Sequence, residues 1–268
     1  MDFLQLLILA VLGTLGGALS GVAGVGGGIV FVPTLVYAAG WDIKEAVAAS
    51  LVIVIFSSLS GTIRNQRSED PVDWRATAIL SLAVAPATLI GVYVSTISPA
   101  TLVQFVFAAV LLVLAYPTAR GRGPSEGRKE TSLPLILLAG VGIGALAGLV
   151  GIGGGVVLVP LLTLGFGLGT KRAISTSLAV VLFAGIVASI GYIVGGFSDL
   201  VSLPPLILGS MIGAWFGVRL RDKLPERAVR LGFAAFMVIT ALRILTDATG
   251  IFMVITALRI LTDATGIL

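Results

Sequence analysis

A cluster of glycines occurs twice in the chain, each time inside a long apolar segment. The first cluster runs from Gly21 to Gly28 and is followed by Pro33, and the second runs from Gly148 to Gly155 and is followed by Pro160. Glycine clusters break helices and leave backbone N–H groups without a helical partner. In a bilayer, irregular backbone is tolerated only where protein buries it or where it lines a water-filled cavity. The two clusters therefore predict a functional site formed by irregular backbone inside the membrane.

The chemistry that such a site favours is anion binding. A short apolar helix is predicted to begin near Gly28 and another near Gly155, so each glycine cluster would carry a helix N-terminus. Free amide N–H groups and the positive end of the helix dipole favour negative charge. Glycine also lets the backbone approach a ligand closely. If the clusters enter from opposite leaflets, they can meet near the midplane as a two-fold cradle for an oxyanion.

The candidate substrate-binding residues are glycines of both clusters and hydroxyl residues near the start of the following helix. They are Gly24, Gly26, Gly27, Gly28, Ser50, Gly151, Gly153, Gly154, Gly155, Thr176 and Ser177. The alternative for the glycines is close helix packing, which is also predicted for the Gly13-x-x-x-Gly17 pair. The alternative for the serines is a hydrogen bond to the preceding helical turn or an N-cap.

Seven other residues have competing interpretations. Ser57, Ser58, Ser60 and Thr62 lack clear counterparts in the second half of the chain and are predicted to link helices. Arg64 is predicted to set topology, with attraction of an anion as the alternative. Asp73 and Asp199 are predicted to cap helices, with proton coupling as the alternative.

The clusters belong to a duplication that covers most of the chain. The matched positions, at an offset of 127 that becomes 126 after one deleted residue, include Gly21 and Gly148, Ser50 and Ser177, Asp73 and Asp199, and Gly91 and Gly217. Internal repeats of this kind are the usual construction of secondary transporters.

Composition identifies the class of protein. Apolar residues make up 57% of the chain and charged residues 11%, whereas soluble domains carry about 25% charged residues. We therefore predict a polytopic membrane protein whose partner is the lipid bilayer. The chain has no Cys and no His, which excludes thiol chemistry, disulfides and imidazole metal sites. We expect no catalytic residue, metal, cofactor or nucleic-acid partner.

The apolar segments predict an all-α fold. Six segments are long enough to span a bilayer, at residues 44–63, 75–94, 100–118, 173–194, 200–218 and 228–246. The two segments that contain the glycine clusters, 3–39 and 133–166, could each be a broken helix or a re-entrant hairpin. Each half of the chain thus has one glycine-rich element and three transmembrane helices.

The basic loops indicate that the two halves are inverted. Lys and Arg concentrate in loops at 64–75, 120–129 and 219–227, and the positive-inside rule places all three in the cytoplasm. The loop that corresponds to 64–75 in the second half, 195–200, is nearly neutral. Inverted halves need an odd number of crossings each, which favours the hairpin. Arg243 falls on the outer side and argues against this scheme.

The chain divides into four parts. We predict a first membrane repeat at 1–118, a cytoplasmic basic linker at 119–132, a second membrane repeat at 133–251 and a C-terminal tail at 252–268. Residues 252–267 repeat residues 236–251 without a change. The extra copy is too short to span a bilayer, so we expect a dispensable tail.

Several motifs together resemble a known family. Both halves carry Gly-x-Gly-Gly-Gly-x-x-x-x-Pro and a following Ser-Leu pair (Ser50-Leu51, Ser177-Leu178), and one loop ends in Val72-Asp73-Trp74. This combination resembles the sulfite exporter TauE/SafE family. The resemblance implies a multi-pass permease of the bacterial inner membrane that moves small sulfur-containing or organic anions, such as sulfite or sulfonates.

Three classes of function compete for this sequence. A secondary transporter would account for the repeats, the paired helix breaks and the family resemblance together. An intramembrane enzyme lacks support, because no buried acid pair, Ser-Lys pair or metal cluster is visible at catalytic spacing. A membrane scaffold would leave the glycine symmetry unexplained. The chain has no Gly-x-x-x-x-Gly-Lys loop, so active transport would use an ion gradient or the membrane potential.

Overall fold

The structure, a computed structural model, describes residues 3–120, 132–197, 203–221 and 226–249. Within these ranges the chain forms ten helices and no strand, which confirms the predicted all-α class. The helices are α1 Phe3–Ala23, α2 Gly28–Ala39, α3 Ile43–Asn65, α4 Trp74–Ile97, α5 Ala100–Arg120, α6 Leu133–Val150, α7 Gly155–Gly165, α8 Thr170–Val194, α9 Pro204–Leu220 and α10 Glu226–Ala248. Helices α1–α5 correspond to the first repeat and α6–α10 to the second.

Five of the described helices, α1, α3, α4, α6 and α8, are long and apolar enough to cross a membrane, as expected of a multi-pass membrane protein. Of the six predicted spans, those in α3, α4 and α8 are among these five, whereas the described apolar parts of α5 and α9 are shorter. Two helix starts are fixed by aspartates. The Asp42 carboxylate accepts the Lys44 N–H at 2.9 Å before α3, and the Asp73 carboxylate accepts the Ala76 N–H at 3.0 Å before α4. The N-cap predicted at Asp73 is confirmed, while Asp199 lies outside the described residues.

The two short helices, α2 and α7, return along the helices that precede them. A side chain at Gly154 would meet Ile143, and one at Gly165 would meet Ile136, so α7 runs back along α6. In the first repeat Gly16 lies against Phe31 in the same way. The structure therefore has the hairpin form of the two predicted alternatives, and α1–α2 and α6–α7 each form one hairpin.

Helices α3 and α8 form the centre of the molecule. The buried share of the candidate span is 72% for α3 and 61% for α8, against 39% for both α1 and α6. Gly61 lies beside Leu178, whereas Gly185 lies beside Leu51. The residue numbers rise on one helix as they fall on the other, so these two equivalent helices run in opposite directions.

Small residues join each hairpin to the other repeat. Helix α1 packs in parallel on α9, and α6 packs in parallel on α4. The close backbone approaches include Gly13 to Leu206, Gly17 to Ser210, Gly144 to Val84 and Gly148 to Thr88. A Cβ atom at any of these glycines would press on a carbonyl of the facing helix. The packing role predicted for Gly13 and Gly17 is confirmed.

Polar contacts bring two of the three predicted basic loops, 64–75 and 219–227, together at one end of the molecule. Arg172, in the first turn of α8, pairs with Asp73 at 3.2 Å, and Arg221, after α9, donates to Asn65 Oδ1 at 3.4 Å. These contacts lie where α3 ends and α4 begins, and we call this the basic end. Lys44 lies at the other end of α3, where its Nζ donates to the Thr96 carbonyl at 3.1 Å.

Candidate functional site

The two glycine clusters meet halfway along α3 and α8. A side chain at Gly26 would meet Val181 and Val54, and a side chain at Gly153 would meet the same two valines. Val54 and Val181 are themselves equivalent at the offset of 127. The meeting point is therefore the centre of the pseudo-symmetry, where both clusters face one pair of central helices.

The backbone follows the same path in both clusters. Three glycines in each have positive φ, with values of 72°, 78° and 86° at Gly24, Gly26 and Gly27 and 75°, 74° and 75° at Gly151, Gly153 and Gly154. L-residues with a side chain rarely adopt this left-handed conformation. The repeated glycines are thus required by the backbone itself, in addition to any role in packing.

The clusters also pack directly against each other. A side chain at Gly28 would overlap the Gly151 carbonyl, and one at Gly155 would overlap the Gly24 carbonyl. The two contacts are equivalent, because the offset of 127 relates Gly28 to Gly155 and Gly24 to Gly151. Gly28 and Gly155 are the first residues of α2 and α7, so the predicted helix N-termini are confirmed and lie side by side.

The helix N-termini leave a run of amide groups without acceptors. In the described chain, no acceptor pairs with the N–H groups of residues 25–29 or 152–156, and no side chain caps α2 or α7. Residues 25–29 and 152–155 are buried. Because buried N–H groups are nearly always hydrogen-bonded, the nine amides of these buried residues require water or a ligand.

Ser50 and Ser177 bind the clusters reciprocally. Ser50 Oγ lies 3.0 Å from the Gly151 carbonyl oxygen, and Ser177 Oγ lies 2.7 Å from the Gly24 carbonyl oxygen. Each hydroxyl also lies within 2.9 Å of a carbonyl in the preceding turn of its own helix, as the alternative interpretation expected. Since a hydroxyl has one proton, these two carbonyls share it. The substrate role of both serines stays a prediction.

Thr176 lies at the basic end. Its Oγ1 accepts the Asp73 N–H at 3.0 Å and donates to the Arg172 carbonyl at 2.8 Å. The structure thus places Thr176 where α8 meets the loop before α4. Of the predicted site residues, the glycines and the two serines come together, and Thr176 does not join them.

Comparison with known proteins places this site in a family. The model of the sulfite exporter TauE/SafE family matches residues 9–244. The chain belongs to the TauE/SafE family. The matched range contains both glycine clusters and the whole of helices α2–α9.

Curated relatives of this TauE/SafE protein are membrane transporters by name. The probable membrane transporter protein YunE of Bacillus subtilis is 25% identical over 91% of this chain and 98% of the relative. Probable membrane transporter proteins of Haemophilus influenzae and Methanocaldococcus jannaschii are 27% and 25% identical over 90% and 91% of this chain, and over 98% and 97% of the relatives. No solved structure matches significantly. The TauE/SafE protein is therefore a membrane transporter and not an enzyme.

The remaining hydroxyls of α3 in this TauE/SafE protein fall into two groups. Ser57 donates to the Gly26 carbonyl, between α1 and α2, at 2.8 Å, and Ser60 donates to the Met211 carbonyl of α9 at 2.7 Å, so both connect α3 to another element as predicted. Ser58 and Thr62 make no such contact among the described residues. Ser58 is fully buried, and its Oγ has no partner in the described chain. Sequence reasoning did not separate Ser58 from its neighbours and did not single out Asn65, although their seven-residue spacing puts them on one helix face.

Proposed function

We propose that this TauE/SafE transporter carries small oxyanions, such as sulfite or organic sulfonates, across the bacterial inner membrane. The anion binds where the N-termini of α2 and α7 meet. The observation that carries this proposal is the run of buried amides at residues 25–29 and 152–155 that lack acceptors.

Electrostatics favours an anion with a single charge. A helix N-terminus is equivalent to roughly half an elementary positive charge, so the paired N-termini offset about one negative charge. The clusters hold no Lys or Arg. Dipoles without a fixed cation bind an anion while still allowing its release, which a transporter needs. Hydrogensulfite and sulfonates carry one charge and several acceptor oxygens, and they suit such a cradle.

Binding requires the clusters to separate. Gly28 packs on the Gly151 carbonyl and Gly155 on the Gly24 carbonyl, so the anion enters only when the two hairpins move apart. Ser50 and Ser177 hold these same carbonyls. As the clusters part, each hydroxyl can turn from the carbonyl to a substrate oxygen. Motion of one repeat against the other around a central site is the usual form of alternating access.

We also propose that the repeats are inverted in the bilayer with the basic end in the cytoplasm. The opposite directions of α3 and α8 support inversion. The positive-inside rule supports the sidedness, since Arg172 and Arg221 lie with the loop after Arg64. The membrane potential or an ion gradient then drives transport.

Anion flux into proteoliposomes tests the proposed function. Purified protein is reconstituted, and uptake of sulfite, methanesulfonate, sulfate and acetate is compared with that of protein-free vesicles. We expect saturable flux of the monovalent sulfur oxyanions and weaker flux of sulfate. The same ions should raise the melting temperature of the protein in detergent, because a ligand of the folded state stabilises it. If none of these anions moves faster than in protein-free vesicles, the proposal is wrong.

A further inference from the structure

Three buried polar residues lie along one face of α3. Ser58, Thr62 and Asn65 are spaced by four and three residues, which places them one above the other on a helix. Their exposed fractions are 0%, 4% and 0%. Ser58 Oγ, Thr62 Oγ1 and Asn65 Nδ2 have no hydrogen-bond partner among the described residues.

Unpaired polar groups in such positions are unusual. Buried polar groups nearly always find a partner, and a hydroxyl on a helix can donate to the carbonyl four residues earlier. Thr34 on α2 does this, at 2.8 Å from the Val30 carbonyl. Ser58 and Thr62 do not. Their hydroxyls, with the Asn65 amide, form a continuous row of free hydrogen-bonding groups.

The row joins the glycine clusters to the basic end. Ser58 Oγ lies 3.4 Å from the position of a Cβ atom on Gly26. At the other end Asn65 Oδ1 accepts from Arg221, so the amide is oriented with its two Nδ2 protons available. Arg64 lies beside Asn65, with its guanidinium 5.4 Å from the centre of the Trp215 ring.

We propose that this face of α3 lines the path of the anion between the glycine clusters and the basic end, and that Asn65, Thr62 and Arg221 form an outer binding site for the same small oxyanions. The inference rests on the proposed function. Amide and hydroxyl protons bind the oxygens of the anion, and the guanidinium supplies the charge that draws it in.

The second repeat does not carry the same row. At the offset of 127, Ser58 corresponds to Gly185 and Asn65 corresponds to Tyr192. Only the middle position is kept, because Thr62 corresponds to Ser189, whose buried Oγ also has no partner among the described residues. The Tyr192 hydroxyl donates to the Gly148 carbonyl of α6 at 2.9 Å, so its proton is already used in a hydrogen bond. The polar row therefore leads from the centre to the basic end, and the equivalent face of α8 is built differently.

Cysteine accessibility tests the path, because the chain has no Cys of its own. Ser58→Cys, Thr62→Cys and Asn65→Cys are made singly in reconstituted full-length protein. They are treated with sulfonatoethyl methanethiosulfonate, an anionic reagent. The cysteine thiolate attacks its sulfenyl sulfur, a mixed disulfide forms and methanesulfinate leaves. The matched controls are Ile63→Cys, which is 44% exposed on the outer surface of α3, and Ala49→Cys, which is fully buried.

We expect the three path cysteines to react at least about tenfold faster than both controls, because thiolates form in water and not in apolar surroundings. The reaction should proceed from the side of the membrane that the basic end faces. Equal rates at Thr62→Cys and Ile63→Cys would overturn the path. If one path variant fails to insert into the membrane, the other two still decide the result.

A second measurement tests the outer site. The cationic trimethylammonioethyl reagent is compared with the anionic reagent at Thr62→Cys. We expect the anionic reagent to be favoured, and we expect Arg221→Gln or Asn65→Leu to reduce that preference by about threefold or more. An unchanged preference in both variants would overturn the site.

The labelling rates do not depend on flux, so the two proposals can fail separately. Labelled path cysteines in a protein that moves no anion would contradict the proposed function. Full anion flux with unlabelled path cysteines would contradict the path alone.

Discussion

Ser57 of α3 donates to the Gly26 carbonyl, whereas its counterpart on α8, Ala184, has no hydroxyl. Seven residues earlier on the same two helices the repeats agree, because Ser50 and Ser177 make the same contact with opposite clusters. The repeats thus share the reciprocal serine contacts and differ along the next turns of α3 and α8. An alternating-access transporter needs a centre that serves both of its open states, while its two exits face different solutions.

The first prediction tests whether the two repeats have opposite orientations in the membrane, on which the comparison depends. If the repeats are inverted, Gln66→Cys and Gly195→Cys, which lie in equivalent loops and are exposed, react with a membrane-impermeant thiol reagent from opposite sides of the bilayer. Each should label almost completely from one side and hardly at all from the other. Labelling of both from the same side would show that the repeats are not inverted.

The second prediction concerns the symmetric glycines. Gly27→Val and Gly154→Val should each reduce anion flux by about tenfold or more, because a β-branched residue at positive φ is strained by more than the roughly 1–2 kcal/mol of an ordinary residue. The new side chain would also displace Phe31 in one repeat and Ile143 in the other. Alanine should have a milder effect.

Gly40→Val is the matched control for these variants. Gly40 has a φ of 74°, but a Cβ atom there would meet nothing within 4 Å, so the backbone strain is similar and the clusters are untouched. We expect transport close to wild type. Wild-type flux in both cluster variants would show that the glycines serve packing alone.

The third prediction compares the two serines. Ser50→Ala and Ser177→Ala should each lower the free energy of unfolding by about 1–3 kcal/mol, because each leaves a buried carbonyl without its donor. The two losses should be similar, and melting temperatures in one detergent measure them. A loss in only one variant would mean that the reciprocal contacts do not have equal weight.

The fourth prediction concerns Ser57 and its counterpart Ala184, where the two repeats differ. Ser57→Ala should lower stability by about 1 kcal/mol, the usual net value of one hydrogen bond. Ala184→Ser should change stability by less than about 0.5 kcal/mol if its hydroxyl finds the Gly153 carbonyl as Ser57 finds Gly26. A marked loss in Ala184→Ser would show that α8 does not approach its cluster as α3 does.

The smallest effect is expected at the C-terminus. Truncation after Ile251 should leave membrane insertion, melting temperature and flux unchanged, because the removed residues duplicate a segment that is already present. These residues lie outside the described part of the chain. A clear drop in melting temperature or flux would show that the duplicated tail contributes to the protein.

The sequence predicts the glycine clusters, the hairpins and the helix starts because lipid restricts the backbone severely. At membrane depth, irregular backbone such as Gly26-Gly27-Gly28 is tolerated only where protein buries it or where it lines a water-filled cavity. A cap such as Asp73 acts within one helical turn, so it can be recognised from neighbouring residues. The packing of α1 on α9 has no such local rule. That packing depends on which helix surfaces rich in small residues fit each other, and both repeats have several such surfaces.

Side-chain direction accounts for the remaining differences. Ser177 and Thr176 are adjacent in sequence, yet neighbouring positions on a helix point about 100° apart, so one reaches the Gly24 carbonyl and the other the Asp73 amide. Asn65 was missed for a related reason. The role proposed for it depends on Arg221, which lies far away in sequence and reaches it only in the folded protein.

The pairing of α1 with α9 has a consequence for biosynthesis. Helix α1 leaves the ribosome first, but the surface on which it packs is made only when most of the chain has been translated. Contacts between such distant segments slow folding. The nascent first half must wait in the membrane with the small-residue face of α1 uncovered, open to chaperones or to wrong helices. Either half expressed alone should therefore be degraded, whereas the two halves expressed together as separate chains can complete each other.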